Sequence, residues 1–178
     1  MKQFNSAKTH PIDRAMSRWV IKQRGNFGLA QEDFAETMYP GEASHERLAR
    51  LKRMESGKYV FTFQDFRVIT KRTHIVPGSI LVAIFKDKQY WPPELIFFTG
   101  RRRGKKKSEP AASEVLSVGM QTTNSHDLAL KTGLSESLIN EYASGNSDLS
   151  SLAAALVLDD ALNLGGRLFI ACFDWYTN

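Results

Sequence analysis

Cysteine is almost missing from this chain: Cys172 stands alone among 178 residues, so no intrachain disulfide can brace the fold. No apolar run approaches the roughly 18 residues that a membrane-spanning helix needs. The opening stretch MKQFNSAKTHPIDRAM also lacks the apolar core of a secretory signal. These absences set the expectation of a cytoplasmic protein with no membrane partner. Clustered metal ligands are lacking as well. His10, His45, His74 and His126 are scattered, without the paired Cys/His spacing of a zinc site or a recognisable nucleophile and base. The nearest approach to a phosphate loop, ELIFFTGRRRGKKKS, fails the G-x-x-x-x-G-K-[ST] spacing, because Gly100 lies four residues before Gly104 and three lysines follow it. An acidic strand ending at Asp174 would leave no chain for the rest of a sheet. No enzyme activity, no cofactor and no metal are therefore expected.

Cations are the next scarcity, and theirs is local. Residues 111 to 178 hold 2 Lys/Arg against 8 Asp/Glu, while residues 1 to 110 hold 22 against 11, so a half of +11 and a half of −6 make the net +5. A phosphate backbone attracts the first and repels the second. Nucleic acid is the partner this implies for the N-terminal half, and 42% apolar content is enough for a genuine core in each part.

The apolar periodicity is helical almost throughout. Ile12, Met16, Trp19 and Val20 fall on one face of a first helix, which GNFG breaks. LAQEDFAETMY restarts the pattern with Phe34, Ala35 and Met38 on one side, and PGEA stops it. A third helix begins with Ser44 as its expected N-cap, turns Leu48, Leu51 and Met54 inward, and ends at Gly57. Beside that inward face, Arg47, Arg50 and Arg53 recur three apart. Thr62 caps a fourth helix through Phe63, Phe66 and Ile69; Pro77 interrupts, and SILVAIF closes the unit. KDKQYWPPELIFF is a strand or a packed extension, and TGRRRGKKKSEPAAS reads as a solvated linker. Helical patterning resumes in SEVLSVGMQ, SHDLALKTGLSESLINEYASG and SDLSSLAAALVLDDALN, before the apolar tail GGRLFIACFDWYTN. The expected fold is all-α: a five-helix domain over 11–86, an extension and basic linker over 87–112, and a smaller helical domain over 113–178.

The two helical parts share a skeleton. Asp33-Phe34-Ala35 leads to Glu55-Ser56-Gly57, and Asp127-Leu128-Ala129 leads to Ala143-Ser144-Gly145 with six fewer residues between. Together with AQEDFAETMY, LKRMESGKYVFTFQDFRVI and LALKTGLSESLINEYASGNSDLSSLAAAL, this order resembles the phage-repressor helix-turn-helix family, of XRE or Cro/repressor type. The resemblance covers most of residues 14 to 84 and 125 to 162. It implies sequence-specific binding to double-stranded DNA and transcription regulation, of phage or mobile-element origin, by the first copy, with the second copy degenerate.

Carried onto this sequence, the resemblance makes Gln31 and Lys58 phosphate contacts and sets His45, Arg47 and Arg50, beside Ser44, at the bases. Arg53 reaches a phosphate one turn later, and His45 is equally a cap or turn residue. The first copy departs from the family in its turn, lengthened by PGEASH. The second keeps the short turn Gly133-Leu134-Ser135 but carries SESLINEY, with Glu136, Glu141 and no cation, where a DNA-reading helix would be. Arg101, Arg102, Arg103, Lys105, Lys106 and Lys107 are expected to lie along phosphates. Competing readings are an antitoxin whose C-terminal half masks a toxin, and a non-specific nucleic-acid binder using this basic arm alone. The faces LSSLAAALVL and LFIACFDWY suggest a homodimer or higher homo-oligomer through the C-terminal half; the tail packing into its own domain is the alternative.

Overall fold

The computed structural model describes residues 10–75, 80 and 110–177, with side chains through Cys172. Among them the regular structure is helical, with no β-strand, and the chain divides into two compact units whose described parts are residues 10–80 and 110–177.

In the first unit, α1 spans Pro11–Asn26. His10 caps it, its Nδ1 accepting the Ile12 amide at 3.3 Å, and Pro11 at the first helical position loses nothing by having no N–H. Ile12, Met16, Trp19 and Val20 are buried, as their spacing predicts. Helix α2 (Gln31–Met38) buries Phe34, Ala35 and Met38, and α3 (Ser44–Glu55) buries Leu51 and Met54 against it. Thr62 and Asp65 form a reciprocal capping box at the start of α4 (Phe63–Thr73), each side chain accepting the other's amide. Phe34, Phe61, Phe63, Phe66 and Ile69 make the centre of this core, with Ile80 buried from the closing element. One buried carboxylate belongs to the same frame. Asp13 Oδ1 accepts the Phe61 amide at 2.9 Å, tying the first turn of α1 to the segment that leads into α4.

The second unit runs α5 (Ala112–Gly119), a single 3-10 turn (Met120–Thr122), α6 (Ser125–Thr132), α7 (Glu136–Ser144), α8 (Leu152–Ala161) and α9 (Arg167–Thr177). Side chains cap three of these: Asn124 caps α6, Ser135 caps α7 and Ser151 caps α8. Asp159, buried in α8, accepts the amides of Gly166, Leu168 and Phe169 at 2.6, 2.7 and 3.2 Å. A carboxylate thus neutralises the donor end of α9 from a neighbouring helix.

The repeat read in the sequence has a structural counterpart. In each unit a short helix, a connection and a second helix are followed by Ser-Gly, and Gly57 and Gly145 take φ of +74° and +73°. That left-handed backbone suits glycine and turns the chain toward the next capped helix. Aligned on these glycines, buried residues coincide: Leu51 with Ile139, Met54 with Tyr142, and Phe61 with Leu149.

Three expectations need correction. Ser44 is the first residue of α3, and its N-cap is Ala43, which offers no side-chain acceptor. Leu48 is only half-buried. Much of the apolar surface proposed for a homodimer is taken up within the unit: Leu149, Leu152, Leu156 and Leu158, and in the tail Leu168, Phe169 and Cys172, are buried, with α9 packed on α8 and α5. The tail is the fifth helix of its own unit, and Leu168, Phe169 and Cys172 belong to that unit's core. Pro77, the rest of SILVAIF and KDKQYWPPELIFF lie outside the described residues.

Candidate nucleic-acid interface

Three-residue steps do not keep a line on a helix, because each falls about 60° short of a full turn. The arginines of α3 therefore drift around it. Leu51 and Met54 point to the core, and Arg47 emerges beside them, where its Nη1 donates to the Glu42 backbone oxygen at 3.1 Å and its Nη2 pairs with Glu36 at 2.9 Å. Arg50 follows one turn on. It pairs with Glu42 Oε1 at 3.0 Å, and its guanidinium lies 4.6 Å from the centre of the buried Tyr39 ring. Both side chains thus hold the lengthened turn, Tyr39 to Ala43, against α3. Only Arg53 of the three points away into solvent.

The outward face of α3 is a different set. Positions four apart overshoot a turn by only about 40° and keep closer to a line, and His45, Ala49 and Arg53 are all exposed, flanked by Ser44 and Lys52. Lys58, just beyond the helix, is exposed too, with its amide held by the Ser56 hydroxyl. The sequence reading missed Ala49 and Lys52. A four-residue count from His45 finds Ala49 and Arg53, with Lys52 one position before the latter.

Gln31 is the other expected contact that the structure places differently. Its Nε2 donates to Glu55 Oε2 at 2.6 Å, and Glu55 also takes Arg24 Nε at 2.7 Å and Arg24 Nη2 at 3.3 Å. This node joins the end of α1, the start of α2 and the end of α3. Gln31 is half-buried there, and it orients the N-terminus of α2 instead of projecting from it. Arg101, Arg102, Arg103, Lys105, Lys106 and Lys107 lie outside the described residues.

The second unit presents a contrasting surface on the same template. Helices α6 and α7 meet through Gly133, Leu134 and Ser135, with Gly133 at φ +74° and Leu134 buried. In the alignment on Gly57 and Gly145, Ala49, Lys52 and Arg53 correspond to Ser137, Asn140 and Glu141. Glu141 is occupied by the hydroxyls of Ser137 and Ser147, at 3.1 and 3.0 Å. At the start of α7, Glu136 pairs with His126, which raises the imidazole's pKa above its ordinary value. No cation stands on α7.

Among the described residues there is no cluster of three metal-ligating side chains and no helix long and apolar enough to cross a membrane. The fold and surface define an all-α protein of two repeated helical units, one basic and one acidic on corresponding helices. No protein-family model matches the chain, no curated protein matches its sequence, and no solved structure matches it.

Proposed function

We propose that this protein is a sequence-specific double-stranded DNA-binding transcription regulator of the phage-repressor helix-turn-helix type, of phage or mobile-element origin, in which the first unit reads DNA and the second does not. One observation carries this reading. Corresponding faces on one helical template carry Lys52 and Arg53 in the first unit and Asn140 and Glu141 in the second. A helix lying in the major groove is flanked by phosphates, so cations on its outward face gain charge-assisted contacts, while a carboxylate there meets repulsion and desolvation.

Ser44, His45 and Ala49 face the base edges in this proposal. Lys52, Arg53 and Lys58 hold the flanking phosphates, to which the cations of residues 101–107 add affinity without sequence information. Arg47, Arg50 and Gln31 act one step back, by fixing the angle between α2 and α3. A small unit of this kind covers few base pairs, so the sites should be short. Selection of bound sites from random duplex DNA tests the reading: a defined consensus is expected, and equal recovery of all sequences would refute it.

A further inference from the structure

Helix α1 carries a second line of cations that neither folding nor the proposed reading helix explains. Arg14, Arg18 and Lys22 succeed one another at four-residue steps, directly away from the buried Ile12, Met16 and Val20, and all three are exposed. Among the described residues none of them forms an ion pair, whereas Arg24, Arg47 and Arg50 each have a carboxylate. Like charges at this spacing repel, and Arg14 sits near the positive end of the helix dipole, where a cation is disfavoured. Lys71 and Arg72, by contrast, lie in the last turn of α4, where the dipole favours them. A line of three cations, none ion-paired among the described residues, spans about 12 Å over two turns at 1.5 Å per residue, long enough to meet successive phosphates along one strand.

We infer that the Arg14, Arg18 and Lys22 face of α1 is a second contact for the sugar–phosphate backbone of double-stranded DNA. This rests on the DNA-binding reading and extends it to a helix outside the turn. The exposed Ile21 beside the stripe offers too little apolar surface to seat the helix in a lipid interface.

The test compares the full chain with the R14Q/R18Q/K22Q variant and with R67Q/K71Q/R72Q, which removes the same charge from α4, on one selected duplex over a range of salt. Each phosphate contact contributes about 0.9 to the slope of log affinity against log salt, so the α1 variant should lose between about 2 and 3 of that slope. The α4 variant should lose clearly less, and the selected consensus should be unchanged in both. The single variant R18Q, losing about 0.9, serves if the triple variant does not fold. Equal losses in both triple variants would reduce the effect to net charge, and an unchanged slope would remove it; either overturns the α1 contact and leaves the DNA reading standing. Stripe-dependent binding to vesicles of anionic lipid with an unchanged duplex slope would overturn it in favour of a membrane surface. No duplex binding by the unaltered chain would overturn both readings.

Discussion

Glu55 offers the sharpest test of how the first unit is held together. Its carboxylate has 8% of its side-chain surface exposed and receives three hydrogen bonds, two from Arg24 and one from Gln31. Replacing it with alanine leaves a guanidinium and an amide without their acceptor at the junction of three helices. Removing one partner of a fully buried pair costs about 3 to 5 kcal/mol. Arg24 keeps 24% of its side-chain surface in water, which recovers part of that loss. The expected cost is therefore about 2 to 3 kcal/mol. For a unit of this size that lowers the melting temperature by about 10 to 20 °C. Two units in one chain need not melt together, so the probe must be local. Trp19 is buried in α1, and substituting Phe for Trp91 and Trp175 leaves it as the single tryptophan. In that background, thermal melting followed by tryptophan fluorescence reports the first unit. The R24A change should cost much less once Glu55 is already alanine, with a coupling above about 1 kcal/mol. Additive single effects, or an E55A melt within about 2 °C of the parent, would refute the node as a structural tie.

The other expected outcomes concern the buried carboxylates and the outward face. Burial raises the pKa of Asp13 to about 7, against the opposing effect of the Phe61 amide. The folded state then favours the protonated form, so stability from this group is present at low pH and is lost as pH rises through about 7, by at most about 4 kcal/mol. D13N should flatten that decline in denaturant titrations between pH 5 and 8, and an equally steep decline in D13N would refute it. D159A strands three amides at the start of α9 and should cost more than about 3 kcal/mol; hydrogen exchange at Gly166, Leu168 and Phe169 should accelerate, and unchanged protection would count against the cap. H45A and R53A should each weaken the preferred DNA site by about 1 to 3 kcal/mol, the first with relaxed discrimination at one base pair. R47A and R50A should weaken all sequences alike, since they act through the turn, and a base-specific effect of either in binding-site selection would restore it as a reader.

Helix positions were legible because each unit writes its period and its stops plainly. Phe34, Ala35 and Met38 are spaced for one buried face, and Thr62 with Asp65 is a capping pattern that local sequence contains in full. Contacts between helices were not legible. Arg24 and Gln31 meet Glu55 across 31 and 24 residues of chain, and nothing in the local pattern of any of the three marks them as partners. The outward set on α3 was half legible, since His45 and Arg53 were on the page while the three-residue arginine rhythm drew attention to a line that the helix does not keep. At the tail, LFIACFDWY shows only that something must cover it. Whether a second chain or α8 does so depends on the return path through Asn163, Gly165 and Gly166, which bend the backbone through positive φ and bring α9 back onto its own unit.

The paired cores bear on how the chain reaches its native state. Two units of like helix order, made in succession on one polypeptide, can exchange equivalent helices during folding, and such exchange is a characteristic trap of repeated domains. Here the equivalent buried positions differ in shape: Phe34 answers Leu128, Met54 answers Tyr142 and Phe66 answers Ala154. A helix seated in the wrong unit would leave a hole where Ala154 replaced Phe66 or force a ring into space made for a thioether, at a cost of a few kcal/mol per site. The unequal connections, five residues from Tyr39 to Ala43 against three from Gly133 to Ser135, add a second mismatch. Divergence of the two interiors thus disfavours such an exchange.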